Sequence, residues 1–334
     1  MRIAFCLITL IGLGAAPGDS DPELLEELRA YPHRILRESK REGHFALFLS
    51  GADGSNEVRL TRTPDVDELY PKASPDGTQI AFVCDEGPGD SRRRNVYVMN
   101  LDGTGRRKIA DHGRDPCWSP DGKKVAYLGN EFERVDLEAW ATKGIYVHDL
   151  GTGRTEPHPN KKIEHLYTLA WSPCGRWFVA TVHGGLGFDH AIVAIEAEGT
   201  RVYDLKLPGC RPDLSADGKH AAWGYGDYRI GVAEIDLGAS PPAATNIRSM
   251  VTSEEPLMTY HVDWSPDGRY IAFSLGPPRP GKNLKGLFAQ CPGIEAPGWD
   301  TCVADTSKVN RWVRITHDGR SNKEPDWVPS GRGK

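Results

Sequence analysis

The chain has 334 residues and a mixed charge, 41 Lys and Arg against 46 Asp and Glu, for a formal net charge of −5. That balance leaves no basic footprint of the kind that binds nucleic acid, and the length allows from one to three domains. Beyond the first 18 residues no apolar run is long enough for a membrane helix.

Residues 1–18, MRIAFCLITLIGLGAAPG, have the pattern of a secretory signal peptide. Arg2 supplies the positive start, Ile3 to Leu13 form an apolar core of 11 residues, and small residues from Gly14 offer a cleavage zone. A periplasmic or secreted location is expected, and such a location permits disulfides. Residues 19–32 are an N-terminal segment with one short helix, DPELLEELRAY. Asp21 is its expected cap, Pro22 sits in the first turn and Glu23 suits the helix dipole. Leu24, Leu25 and Leu28 are expected to pack on the main body of the protein.

From residue 33 to 334 one phrase recurs: SPDGTQIAF from Ser74, SPDGKKVAY from Ser119, SPCGRWFVA from Ser172, SADGKHAAW from Ser215 and SPDGRYIAF from Ser265. A broken copy, PDWVPSG, starts at Pro325. The five starts are 45, 53, 43 and 50 residues apart. A period of this size, with four short strands per unit, marks an all-β chain folded as a β-propeller. Each unit reads as a strand, a Pro-Asp-Gly turn, a strand alternating like IAF, a variable loop, a third strand, a second turn and a short fourth strand. Five units are complete. The sixth is split: HRILRES (33–39), HFALFLS (44–50) and EVRLT (57–61) lack a first strand, and KEPDWV (323–328) is a first strand alone. Pairing the C-terminal strand with the N-terminal three closes six blades and removes two sheet edges.

Trp118, Trp171, Trp264 and Trp327 share one slot just before the turn, with Ala73 and Leu214 in the other two blades. A repeated register of this kind reads as packing, at up to roughly 5 kcal/mol per indole buried.

These residues resemble the TolB-type propeller repeat, whose turn reads WSPDG and is followed by an IAF-like strand. The resemblance runs over about residues 33–328. It implies a six-bladed propeller. TolB also has an α/β domain before its propeller, whereas only about fifteen residues lie between the leader and the first strand here, so the resemblance is to the propeller part. Similar repeats occur in non-catalytic propellers of serine peptidases and in oligogalacturonate lyases, where the propeller is the enzyme.

In a propeller the first strand of each blade lines the central channel, and alternation decides which side chains face it. Three residues before the slot stand Tyr70, Asp115, Thr168, Arg211, His261 and Glu324; one before it stand Lys72, Cys117, Ala170, Asp213, Asp263 and Asp326. These should face the channel. The residues two before the slot, from Pro71 to Pro325, should face the packed side. Long connections crowd the face where the first strands begin: 86–95, 130–144, HGGLGFDH (183–190) and 276–298. Long loops on a rigid scaffold are where binding concentrates. The expected ligand site is that loop-rich mouth, built from Tyr70, Asp115, Arg211, His261 and Glu324, with His183, His190, Tyr260 and Trp299 on the rim.

Two functions are compatible with this pattern. The first is an exported, monomeric, non-catalytic binding platform for a protein segment or an envelope glycan, with no cofactor. No P-loop or GxSxG elbow is present. The alternative is a lyase or hydrolase of acidic oligosaccharides, as the oligogalacturonate-lyase resemblance implies. His261 would then be the base, Arg211 the partner of the sugar carboxylate, and a divalent metal would be held by His183 and His190; a separate arrangement adds His261 to them as a three-imidazole metal site. Cys291 and Cys302 share one long insertion and are expected to pair as a disulfide. The run RRR at 92–94 reads as solvated charge.

Overall fold

A computed structural model describes residues 21–88, 91–131, 141–278 and 289–331. The leader and parts of the loops 86–95, 130–144 and 276–298 lie outside the described residues.

The strands form six four-stranded antiparallel sheets arranged as blades. Closure is as expected: Asn322–Val328 joins Arg34–Arg41, with Arg34 opposite Val328 and Ile35 opposite Trp327. The innermost strands of the other blades are Asp67–Ala73, Gly113–Trp118, Leu166–Trp171, Cys210–Leu214 and Met258–Trp264.

The repeated turn explains why each inner strand reverses where it does. In the first copy the Ser74 Oγ donates to Asp76 (2.6 Å) and accepts from the Gln79 amide (2.9 Å), while the Asp76 carboxylate accepts from the Thr78 amide (3.0 Å). Gly77 supplies the left-handed residue at φ 69°. Ser119 with Asp121, Ser215 with Asp217 and Ser265 with Asp267 repeat the arrangement. These bonds hold the Asp76 carboxyl below its ordinary value against the opposing effect of burial.

Apolar residues pack between neighbouring blades rather than in one central core. Leu128, Ile145, Phe178 and Val193 fill the wedge between blades two and three, and Val232, Ile271 and Phe273 fill that between four and five. Helix α1 (Pro22–Arg29) completes the wedge where the ring closes, with Leu24 and Leu28 against Tyr270, Val313 and Trp327. Asp21 caps it as expected, accepting from the Leu24 amide at 2.9 Å. Arg311 then ties the helix to blade five through Asp21 (3.1 Å), Glu27 (2.7 Å) and Asp305 (2.7 Å).

Candidate functional site

Every inner strand breaks its ladder at one equivalent residue. Tyr70, Asp115, Thr168, Arg211, His261 and Glu324 all have left-handed backbones, with φ from 48° to 59°. The pairing register slips across each of them. These are β-bulges, and a non-glycine residue in that conformation costs roughly 1–3 kcal/mol. Such residues persist only where the surroundings over-determine them, and six in one ring mark the centre of the channel.

The bulges correct the simple alternation. All six residues line one cavity, but so do Pro116, Leu169, Val262 and Pro325, one position further on. A bulge turns two successive side chains toward the same face, which strict two-residue periodicity forbids. It also accounts for proline here, since bulges leave an amide without a ladder partner.

The loop end of this ring is closed. The cavity is only about 30 Å³, space for water but not for a sugar. Arg211 and His261 are each 5 % exposed. His261 Nε2 donates to the Gln290 carbonyl at 2.5 Å, so its 3.0 Å approach to Glu324 is not a second hydrogen bond. Arg211 stands 4.0 Å from Glu324 and lies over the Tyr167 ring. Lys323, wholly buried in the closing strand, donates to the carbonyls of Ala289 (3.1 Å), Cys291 (2.5 Å) and Ile294 (2.8 Å). The segment 289–294 is thereby pinned over the ring like a stopper.

Charge in this end is suppressed. Burial, then the cations Arg211 and Lys323, hold His261 well below the usual histidine range, so its ring is neutral. Burial pushes the Glu324 carboxyl up to about 8 and that of Glu38 up to about 7. Burial likewise lowers Lys323, with Glu38 opposing it. The Tyr70 hydroxyl, Asp115 Oδ1, Thr168 Oγ1 and His261 Nδ1 have no partner among the described residues, and water in the cavity can satisfy them.

The turn end is different. A funnel of about 280 Å³ opens between the SPDG turns, walled by Trp171, Trp264, Trp118 and Trp327 with Pro75, Pro266 and Pro329. Its floor is the set of residues one before the slot. Lys72 Nζ contacts Asp326 (2.8 Å) and Asp263 (3.3 Å). Each floor aspartate also accepts an amide of the next blade: Asp213 from Trp264 (2.9 Å), Asp263 from Trp327 (2.7 Å) and Asp326 from Ala73 (2.7 Å). The carboxylates thus stitch blade to blade while lining the floor of the funnel. Burial raises Asp213 to about 6 and Asp263 well above the usual range, and in Asp263 the neighbouring Asp326 adds to the effect. Burial works against the Lys72 ammonium, but Asp326, Asp263 and Asp213 outweigh it and raise its pKa.

Several expected site residues lie elsewhere. Trp299 is fully buried, donates to the Pro277 carbonyl (2.9 Å) and lies against Gly276, so it is core and not rim. Tyr260 packs beside it and donates to Asp227. His183 and His190 face each other on the hairpin of blade three, with their Nδ1 atoms 3.1 Å apart. His261 is held on a different strand by Gln290, and among the described residues no three His, Cys, Asp or Glu groups converge as a metal set. The three-imidazole site is therefore not formed. Nor are Cys291 and Cys302 bridged. Cys302 faces the wedge between blades four and five, while Cys291 belongs to the stopper near Arg211. Arg94 is not solvated either: it is 3 % exposed and makes two 2.7 Å bonds to the Asp85 carboxylate. The slot tryptophans divide, with Trp118 and Trp327 buried and Trp171 and Trp264 half-buried in the funnel wall.

Sequence reasoning missed Lys323 and the stopper it holds. The available signal was a lysine inside a closing strand, four residues before the tryptophan slot. It placed the floor residues on the channel but drew no site from them.

No family model matches the chain. Curated relatives include the Tol-Pal system protein TolB of Methylococcus capsulatus, 35% identical over 79 residues, and that of Xanthomonas campestris pv. campestris, 32% identical over 122 residues. The matches cover 23% and 34% of this chain but 17% and 26% of the relatives, so the chain matches about a quarter or less of their length. Among solved structures, TolB from Acinetobacter baumannii superposes with a TM-score of 0.63 at 19% identity, covering 89% of this chain and 67% of that one, a likeness of fold.

Proposed function

We propose that this chain, a TolB-like six-bladed β-propeller, is a non-catalytic binding platform that receives an extended protein segment at the turn end of its channel. The observation that carries this is the funnel: apolar indole and proline walls above a floor of three aspartates and one lysine. A basic side chain entering the floor would pair with Asp213, since Lys72 already contacts the other two aspartates, and would favour its ionised form. The relatives are named as Tol-Pal system proteins. That naming and the leader-like first 18 residues support a periplasmic place and a protein partner. No helix among the described residues is long and apolar enough to cross a membrane.

The lyase reading has less support. Its base, His261, is buried and neutral with Nε2 engaged, and the histidine pair lies apart from it. The test is a tryptophan-fluorescence titration with extended Lys- or Arg-bearing peptides and, separately, with oligouronates. Peptide binding should weaken tenfold or more in Trp264→Ala and in Trp171→Ala, with no unsaturated uronate formed. Turnover of the oligouronate, or peptide binding indifferent to both substitutions, would overturn the proposal.

A further inference from the structure

The hairpin of blade three, Trp177–Gly185 and Phe188–Glu196, carries a histidine pair that the funnel does not use. Its two turn residues, Leu186 and Gly187, both have positive φ, 54° and 83°. That is the type I′ geometry that matches strand twist and fixes register. Gly185 therefore opposes Phe188, and His183 directly opposes His190. Directly opposed residues share one face of the sheet, and here both are exposed.

The rings sit 5.4 Å apart at 73°, with Nδ1 facing Nδ1 at 3.1 Å. Two nitrogens bonded to one ion at about 2.0–2.1 Å and separated by this distance subtend roughly 98°, between square and tetrahedral angles. His190 Nε2 lies 2.9 Å from the Gly209 carbonyl and donates to it. The neutral ring then has its lone pair on Nδ1, aimed at His183. Metal-bound histidines are oriented in this way, by spending the distal N–H on a carbonyl or carboxylate. The nearby His165 is already engaged, with Nδ1 at the Gly184 carbonyl (3.0 Å) and Nε2 at Glu131 (3.2 Å).

We propose that His183 and His190 form a two-imidazole chelate for a divalent late first-row transition ion, with water completing its shell. Imidazole donors favour Cu²⁺ over Ni²⁺ and Zn²⁺ and disfavour Ca²⁺ and Mg²⁺. Binding requires both Nδ1 atoms free of protons, so it weakens as the imidazoles are protonated. A bound ion would staple the hairpin at the point where His190 already reaches the start of blade four.

The test uses the full chain without a polyhistidine tag, titrated calorimetrically with Cu²⁺, Ni²⁺, Zn²⁺ and Ca²⁺. Cu²⁺ should bind most tightly and Ca²⁺ should give no signal at this site. His183→Asn and His190→Asn should each weaken the transition ions tenfold or more. Electron paramagnetic resonance of the Cu²⁺ form should show two nitrogen ligands, with one fewer in either variant. Melting in chelator checks that both variants fold, and His183→Asn leaves the Gly209 bond intact. Equal affinity in wild type and both variants would show that the pair is only a hydrogen bond and would sink the proposal.

Discussion

The two ends of the channel are made by the same six strands, yet one is sealed and the other is open. At the loop end His261, Glu324, Lys323 and Arg211 are packed under the segment 289–294, and burial drives both carboxyl and imidazole toward neutrality. At the turn end the repeated SPDG turns are short and a wider funnel opens between them, with Lys72 paired to Asp263 and Asp326 on its floor although burial raises Asp263 there too. A repeat therefore sets where side chains point, but an insertion in one blade decides which end a ligand can reach.

The largest effect should come from Lys323→Met. It removes the ammonium from three carbonyls and takes from Glu38 the stronger of its two cationic neighbours, Lys323 and Arg94, a loss of about 3–5 kcal/mol by the usual cost of breaking a buried charged network. Chemical denaturation should report that loss, and hydrogen exchange should show 289–296 deprotected ahead of the funnel turns. Equal protection at both ends would mean that the stopper is not held by this lysine.

The next contrast lies within the tryptophan slot. Trp327→Ala, at a residue 4 % exposed, should cost about 3–5 kcal/mol. Trp264→Ala, half-buried in the funnel wall, should cost clearly less while harming peptide binding more. Matching stability losses would return all four tryptophans to a purely packing role.

A smaller effect should appear with pH. Glu324 has a folded pKa of about 8, far above the usual glutamate value. Between those values the folded state holds a proton that the unfolded chain releases. Its stabilising contribution is therefore complete at acid pH and is lost as pH rises toward about 8. Below the ordinary histidine range His261 opposes this, because the unfolded ring takes up a proton that the folded ring refuses. In the window from about 6.5 to 8, stability should fall by at most about 1.4 kcal/mol per pH unit for this group. Glu324→Gln should flatten that slope in denaturation series, and an unchanged slope would assign it to the other carboxyls that burial raises, Glu38 and Asp263.

Much of the architecture was legible because the repeat is local chemistry. Ser, Asp and Gly at fixed offsets make the turn, and the split sixth unit announces its own closure. The channel-facing set from Tyr70 to Glu324 was also legible, since equivalent positions in equivalent strands must point alike. What alternation hid was the bulge, because left-handed non-glycine residues carry no compositional mark. It therefore hid that Pro116 and Val262 also line the channel cavity, although Val262 packs in the wedge between blades four and five as expected. Trp299, at the end of the long insertion, and Tyr260, on its inner strand, looked like rim aromatics, but they pack together and are buried. The Cys291–Cys302 pairing failed because nearness along the chain said nothing of their surroundings: Cys302 lies in the wedge between blades four and five, and Cys291 near Arg211.

Period, turn chemistry and ring closure were thus written in the chain itself, because each depends on residues within one repeat or on the need to pair two strand edges. Which mouth is stoppered, which histidines meet and which charges survive burial were decided only in three dimensions. Those outcomes depend on contacts between residues far apart in sequence, such as Lys323 with Cys291 and Lys72 with Asp263. A desolvated group's charge state is set by whatever the fold happens to place beside it.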